Sequence, residues 1–126
     1  MRKNSHSKTD YKKFKVKGKK TRERKKILND AKLLQKKGVF SIVLECVEKT
    51  LSKEITKTLK IPTIGIGSSQ HCDGQVLVID DLTGLNQTKI KFVKKFANIK
   101  KNIREAAYKF KKEVLSKKYP TKKHSY

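Results

Sequence analysis

The sequence lacks the features that would mark a secreted or membrane-spanning protein. Its two cysteines, Cys46 and Cys72, stand in different segments and form no CxxC pair, so they do not indicate a disulfide framework. No apolar run approaches the length of a membrane-spanning helix, and the first 20 residues contain no apolar segment typical of a signal peptide. These absences predict a cytoplasmic protein with no membrane partner.

Acidic residues are also scarce, which leaves a formal net charge of +23. Lys and Arg number 34 against 11 Asp and Glu, a balance that by default indicates a nucleic acid or an anionic surface as partner. Arginine grips phosphate and guanine with a planar fork, but it contributes only four of the cations: Arg2, Arg22, Arg24 and Arg104. The lysines are scattered, so we interpret the charge first as a bias towards A/T-rich codons. Anion binding is the alternative, and no specific nucleic acid is predicted.

What is present predicts one domain of alternating helices and strands. Residues 1–20 are polar and basic and predict a partly flexible arm that ends in a short extended piece. Thr21 can cap a first helix, and Gly38 suits its end. The apolar residues of this helix recur at helical spacing: Ile27, Leu28, Ala31 and Leu34. Residues 40–44, FSIVL, then have the pattern of a buried strand.

A second helix, two further strands and a long last helix follow. The second helix repeats an apolar residue every four positions, at Leu51, Ile55 and Leu59, and should end ahead of Pro62. PTIGIG predicts a strand, residues 68–74 a loop, and residues 75–79, QVLVI, a third strand closed by the turn residues DDLTG. The last helix should end before Pro120, and one stripe holds its apolar residues: Phe92, Phe96, Ile99, Ile103, Ala106, Phe110 and Val114.

This order of elements favours an α/β fold in which helices connect parallel strands. A complete (β/α)8 barrel needs about 250 residues, and three strands cannot close one. The 126 residues therefore correspond to about half of such a barrel, and the open sheet predicts that something else pairs with it.

Several motifs together resemble the ketopantoate hydroxymethyltransferase family. They are FSIVLECV, then IPTIGIG followed by CDGQVLV and DDLTGL, and the C-terminal YPTKKHSY, with FKVKGK and DAKLLQKKGVF upstream. The resemblance covers residues 12–126 and fits the C-terminal half of the family. It implies a partial (β/α)8 TIM-type barrel, namely its second half with about three parallel strands and flanking helices, over residues 21–126.

The resemblance also implies an activity. The family condenses 3-methyl-2-oxobutanoate with the one-carbon unit of 5,10-methylenetetrahydrofolate to give 2-dehydropantoate in pantothenate biosynthesis, using Mg²⁺ to polarise the keto acid. The glutamate of its L-E-C-V motif accepts the proton, and Glu45 matches that residue. A carboxylate at the C-terminal end of a parallel strand also lies where barrel enzymes carry out their chemistry, and desolvation there would strengthen the base.

The other residues of these motifs are expected to have smaller roles. Gly65 and Gly67 suit tight packing more than ligand approach, Asp73 should shape the loop before the last strand, and Cys46 should be a small buried residue. The adjacent His71, Cys72 and Asp73 would make an odd metal site. His124 is interpreted as a contact residue of the tail.

Two departures from the family pattern bear on function. The family usually reads G-A-G-x-x-C-D-G-Q where this chain reads GSSQHCDGQ, so that Ser69 replaces a glycine near the substrate. The family's metal ligands and its substrate-binding Asp, Ser and Lys belong to its N-terminal half, and no residue here matches them. The resemblance therefore implies a partner, either an N-terminal half chain or further copies of this one, and assigns no metal ligand to this chain.

Three functions remain open at this point. The chain is first interpreted as part of a hydroxymethyltransferase, truncated or split, and inactive without the other half. The second hypothesis is an inactive remnant of that enzyme. The third is a basic nucleic-acid-binding module, ranked last because Phe92, Phe96 and Phe110 are expected on a core stripe rather than exposed between lysines.

Overall fold

The computed structural model describes residues 14–87 and 89–126, which divide between two compact units, Met1–Gln75 and Val76–Tyr126. The first unit contains helices and parallel strands in alternation: α1 (Thr21–Lys36), β1 (Ile42–Glu45), α2 (Lys49–Thr58), β2 (Thr63–Ile66) and β3 (Gly74–Gln75). The second contains α3 (Ile79–Leu82), α4 (Ile99–Leu115) and a 3-10 turn (Lys122–His124). None of the helices within the described ranges is long and apolar enough to cross a bilayer.

The first unit is built on a parallel sheet in the order β1-β2-β3, which confirms the α/β class and the parallel strands. Ile42 of β1 aligns with Thr63 of β2, and Glu45 aligns with Ile66, so the carboxyl ends of both strands meet at one edge. An isolated parallel bridge between Lys17 and Val47 adds the chain segment before α1 next to the end of β1.

The core of the first unit lies along α2. Leu51 and Ile55 are fully buried and Leu59 is nearly so, because a residue every four positions falls on one stripe of a helix. This stripe confirms the predicted second helix, which ends at Thr58, ahead of Pro62. The same core cluster takes in residues from α1, β1, the turn between β1 and α2, and the loop before β3: Ala31, Leu44, Val47 and Cys72.

The ends of α1 were only partly predicted. Gly38 follows the last turn with φ +88°, and its N–H donates to the carbonyl of Gln35 at 3.0 Å, which confirms it as the residue that ends the helix. The prediction that Thr21 caps α1 was wrong, because Thr21 is the first helical residue and Lys20 precedes it without a side-chain cap. Leu34 is also largely exposed rather than buried.

Strand β1 differs from the predicted buried strand over residues 40–44. It begins at Ile42, and only Leu44 among its residues is buried. Phe40 is 88% exposed and Val43 is 57% exposed. Successive side chains of a strand point to opposite faces, and within the described residues only one face of β1 is covered.

The predicted third strand, residues 75–79, was also wrong in extent. Strand β3 ends at Gln75, and Ile79 begins the short helix α3. The run of β-branched residues suggested a strand, but Asp80 and Asp81 in the first turn favour a helix N-terminus. Asp81 is buried and accepts a hydrogen bond from the Asn86 side chain at 2.9 Å, which holds the turn after α3.

The last helix begins later than predicted. Asn98 caps α4 by accepting from the Lys101 amide at 3.2 Å, so Phe92 and Phe96 precede the helix. The predicted core stripe was wrong for the described unit, since α4 has no buried residue and Phe110 is 57% exposed. The predicted end was right: the helix ends at Leu115, before Pro120.

Candidate active site

Glu45 is the last residue of β1 and lies at the carboxyl edge of the parallel sheet. Its carboxylate is exposed, and no hydrogen bond or ion pair with another described residue engages it. The desolvation expected around Glu45 is therefore absent from the described part of the chain. An unengaged carboxylate at this edge is free to accept a proton from a molecule bound over the strand ends.

The backbone immediately after Glu45 is strained. Cys46 has φ +52°, in the left-handed region that a residue with a Cβ rarely adopts. Such a conformation persists only where the surroundings enforce it, and functional sites are where it concentrates. Here the Cys46 N–H donates to the Ile66 carbonyl at 3.0 Å, and the Cys46 carbonyl accepts from the Lys17 amide at 2.8 Å.

A third contact to this turn comes from Ser68, which sequence reasoning missed. Its hydroxyl donates to the carbonyl of Leu44 at 2.6 Å and accepts from the amide of Val47 at 3.1 Å. Gly67, with φ +62°, turns the chain at the end of β2 and brings Ser68 back towards β1. The feature of the sequence that could have indicated this role is that Ser68 stands where the family pattern has alanine.

Cys46 itself is a buried thiol and not a second reactive group. Burial of the Cys46 thiol is the larger cause that raises its pKa, and the negative charge of Glu45 is the smaller one. The thiol therefore stays protonated near neutral pH, which suits the small buried residue that was predicted.

The second glutamate of the motif, Glu48, holds the start of α2. One of its carboxylate oxygens accepts from the Thr50 hydroxyl at 2.6 Å and from the Thr50 and Leu51 amides at 3.0 Å each. Arg24 joins the same oxygen at 3.2 Å and reaches Glu54 at 2.6 Å with its other nitrogen. These donors lower the pKa of Glu48 to about 2, and the Thr50 hydroxyl has the largest effect. Glu48 is therefore ionised and hydrogen-bonded, and it does not serve as a base.

Asp73 lies at the opposite edge of the sheet from Glu45. Its carboxylate accepts from the Thr63 amide at 2.8 Å and from the Thr63 hydroxyl at 3.1 Å, and these bonds, the amide first, lower the pKa of Asp73. Because Thr63 is the first residue of β2, Asp73 ties the loop before β3 to the amino end of the sheet. The expectation that Asp73 shapes the loop is confirmed.

Gly65 is explained by packing. A Cβ at this position would lie 2.8 Å from the amide oxygen of the Gln75 side chain and 3.2 Å from the sulfur of Cys72. The Gln75 side chain in turn donates to the Ser69 carbonyl at 2.8 Å, so the loop packs over the glycine. This agrees with the interpretation of Gly65 as a packing residue.

No three His, Cys, Asp or Glu side chains come together to hold a metal ion among residues 14–87 and 89–126. The segment His71, Cys72 and Asp73 provides no such group, since the Asp73 carboxylate points to Thr63. No group of three such ligands therefore points to a metal site among the described residues.

His124 contacts its own tail in the second unit. Its Nδ1 lies 2.7 Å from the Thr121 hydroxyl, and its ring lies 5.5 Å from the Tyr119 ring, centroid to centroid. These contacts fold the last residues against each other.

Comparison with known proteins places these features in one family. The family described as ketopantoate hydroxymethyltransferase matches residues 4–122. A 3-methyl-2-oxobutanoate hydroxymethyltransferase of Pelagibacter ubique (strain HTCC1062) is 68% identical over 113 residues, which are 90% of this chain and 44% of the relative. Enzymes with the same name from Thermosipho melanesiensis and Clostridium botulinum (strain 657) are 49% and 46% identical over 114 residues, 90% of this chain in each case. The chain spans 42–44% of the length of these curated relatives.

Proposed function

This chain belongs to the ketopantoate hydroxymethyltransferase family, and from that premise we propose that it contributes the proton acceptor, Glu45, to a 3-methyl-2-oxobutanoate hydroxymethyltransferase. The observation that carries the proposal is the exposed, unengaged carboxylate of Glu45 at the carboxyl edge of a parallel sheet, on a strained turn that three hydrogen-bonding neighbours fix. Glu48, the other glutamate of the motif, is engaged at the start of α2 and leaves this role to Glu45.

The proposed chemistry begins with removal of a proton. Glu45 takes it from the carbon next to the keto group of 3-methyl-2-oxobutanoate, and the electron pair of that C–H bond moves into the enolate. The enolate carbon then forms a bond to the methylene carbon of 5,10-methylenetetrahydrofolate. The two bonds from that carbon to the folate nitrogens break, and a water molecule supplies the hydroxyl group of 2-dehydropantoate. Tetrahydrofolate leaves, and its nitrogens take up the proton removed from the substrate and one proton of the water. Mg²⁺ supplies stabilisation of the enolate charge when it is bound, and we propose that its ligands lie outside residues 14–87 and 89–126.

We propose that residues 21–126 form the second half of a (β/α)8 barrel and that residues 1–20 form a basic arm. The parallel order β1-β2-β3 and the Lys17–Val47 bridge support four neighbouring parallel segments of such a barrel. The rest of the barrel, in this polypeptide or another chain, or further copies of this chain, would then cover the exposed Phe40 and Val43. The cytoplasm is the proposed location, supported by two cysteines that are both free thiols.

An inactive remnant is the second candidate, and the geometry of Glu45 weighs against it. A turn with φ +52° at Cys46, whose N–H and carbonyl are bonded to Ile66 and Lys17, is a specific arrangement that random substitution would disturb. The nucleic-acid module gains one feature from the structure, since Phe96 and Phe110 are exposed after all. It nevertheless ranks below the enzyme, because the family match covers nearly the whole chain.

A chimera tests the proposal. The matched 44% of the Pelagibacter ubique relative is replaced by the matching residues of this chain, so that the relative provides the remainder of the enzyme. Formation of 2-dehydropantoate from the two substrates with Mg²⁺ is measured and compared with the unmodified relative and with this chain alone. We expect activity in the chimera and none in the chain alone. A chimera that assembles but forms no product would favour the inactive remnant.

A further inference from the structure

We propose that Ser68 is a positioning residue for Glu45: its hydroxyl holds the turn that directs the Glu45 carboxylate over the strand ends. The inference rests on the proposed function, since it takes Glu45 as the base. It adds a residue from a different loop, the one that follows β2, to the determinants of the site.

The two hydrogen bonds of Ser68 close a ring around Glu45 and Cys46. The hydroxyl donates to Leu44, the residue before Glu45, at 2.6 Å and accepts from Val47, the residue after Cys46, at 3.1 Å. A serine hydroxyl has one proton to donate and lone pairs to accept, so both bonds exist at the same time. One side chain therefore fixes the distance between the two ends of the turn.

The turn needs such a fixed distance because it is strained at Cys46. The N–H and carbonyl of Cys46 are already bonded to Ile66 and Lys17, which leaves the Val47 N–H as the next donor along the chain. Val47 is buried and its amide bonds to Ser68. Without the hydroxyl, the part-buried Val47 amide loses its acceptor, and the backbone of the turn next to Glu45 is held less firmly.

The family pattern has alanine where this chain has Ser68, and a methyl group makes neither hydrogen bond. Replacing Ser68 by alanine restores the family's residue but removes the contact that this turn uses, whereas threonine keeps the hydroxyl.

The first test measures the turn itself. Amide hydrogen exchange is followed by NMR in the full chain for the wild type, Ser68→Ala, Ser68→Thr and Ser69→Ala. Ser69 is the matched control, because its hydroxyl accepts from the His71 amide instead of the β1–α2 turn. We expect Val47 to exchange about tenfold faster in Ser68→Ala and near the wild-type rate in Ser68→Thr and Ser69→Ala. Unchanged Val47 exchange in Ser68→Ala would overturn the inference.

The second test measures positioning in the chimera described above. We expect Ser68→Ala to lower kcat by about three- to tenfold with KM nearly unchanged, because a displaced base affects the proton transfer more than substrate binding. Ser68→Thr should recover most of the loss. Full kcat in Ser68→Ala would overturn this inference while leaving the proposed function standing. A wild-type chimera without activity would overturn the proposed function and the catalytic part of this inference together, and the exchange data would then report on the turn alone.

Discussion

Glu45 and Glu48 are separated by two residues and have different surroundings. The Glu48 carboxylate accepts from two backbone amides and a hydroxyl and pairs with Arg24, all of which favour its ionised form. The Glu45 carboxylate has none of these partners among the described residues. The difference follows from position, because Glu45 ends a strand and Glu48 precedes the first turn of a helix, where free amides point outwards.

Glu48→Gln should destabilise the first unit in a pH-dependent way. The folded pKa of Glu48 is about 2 against an ordinary value of 4.5, so its stabilisation is fully present above about pH 4.5 and is lost as the pH falls towards 2. We expect Glu48→Gln to lower the free energy of unfolding by about 0.5–2 kcal/mol near pH 7, because the amide can still accept at the start of the helix but carries no negative charge there. The loss should be clearly less near pH 3.

Urea unfolding followed by circular dichroism measures this difference. Glu54→Gln is the matched control, since Glu54 pairs with the same arginine but caps no helix. A deficit of Glu48→Gln that stays constant between about pH 7 and about pH 3 would contradict the role assigned to its charge.

At the scale of elements, the helices and strands that the sequence predicts best are those whose patterns are local. The four-residue spacing of Leu51, Ile55 and Leu59 predicted α2. Residues at this spacing lie on one face of a helix, and that face is the one buried in the core. The third strand was overestimated, because the β-branched residues after Gln75 have no partner strand that sequence alone could reveal.

In the candidate site, too, the features that depend on consecutive residues could be predicted and those that depend on strand pairing could not. The position of Glu45 at the end of β1 was predicted, because the strand and its end can be read from consecutive residues, whereas its role stays a prediction. The Ser68 hydroxyl and the Cys46 φ could not be predicted, since they depend on the register that brings the end of β2 next to the end of β1. The exposure of α4 could not be predicted either. An apolar stripe indicates which face of a helix tends to be buried, but it does not indicate whether the described residues include a partner that buries it.

The two ends of α1 offer a comparison of two glycines. Gly18 and Gly38 have φ +81° and +88°, so alanine is strained at both by about 1–2 kcal/mol. A Cβ at Gly38 meets nothing within 4 Å, whereas one at Gly18 would collide with the Cδ2 atom of the fully buried Leu51. We expect Gly18→Ala to lose a further 1–3 kcal/mol, roughly, from overpacking. Equal midpoints of urea unfolding for Gly18→Ala and Gly38→Ala would show that Leu51 moves aside freely.

At the scale of the whole molecule, the net charge of +23 bears on the choice between the proposed enzyme and a nucleic-acid-binding module. Lysines that carry no selected phosphate site should still attract nucleic acid through counterion release. Binding of a labelled DNA duplex should therefore be weak and indifferent to base sequence. It should fall by about two orders of magnitude or more between about 50 and about 200 mM salt. Fluorescence anisotropy with two duplexes of unrelated sequence measures both properties, and a tight, sequence-selective complex at the higher salt would instead favour the nucleic-acid module.

The proposal that Glu45 is the proton acceptor is tested most directly by proton exchange in the chimera. In D₂O, the base replaces the hydrogen on the carbon next to the keto group of 3-methyl-2-oxobutanoate with deuterium, which NMR follows without the folate substrate. We predict that Glu45→Gln slows this exchange by about 10²–10⁴-fold, because the amide keeps the shape of the side chain but cannot accept the proton. Glu23→Gln, on the first turn of α1, should exchange at the wild-type rate. Exchange by Glu45→Gln at a near-normal rate would contradict the assignment.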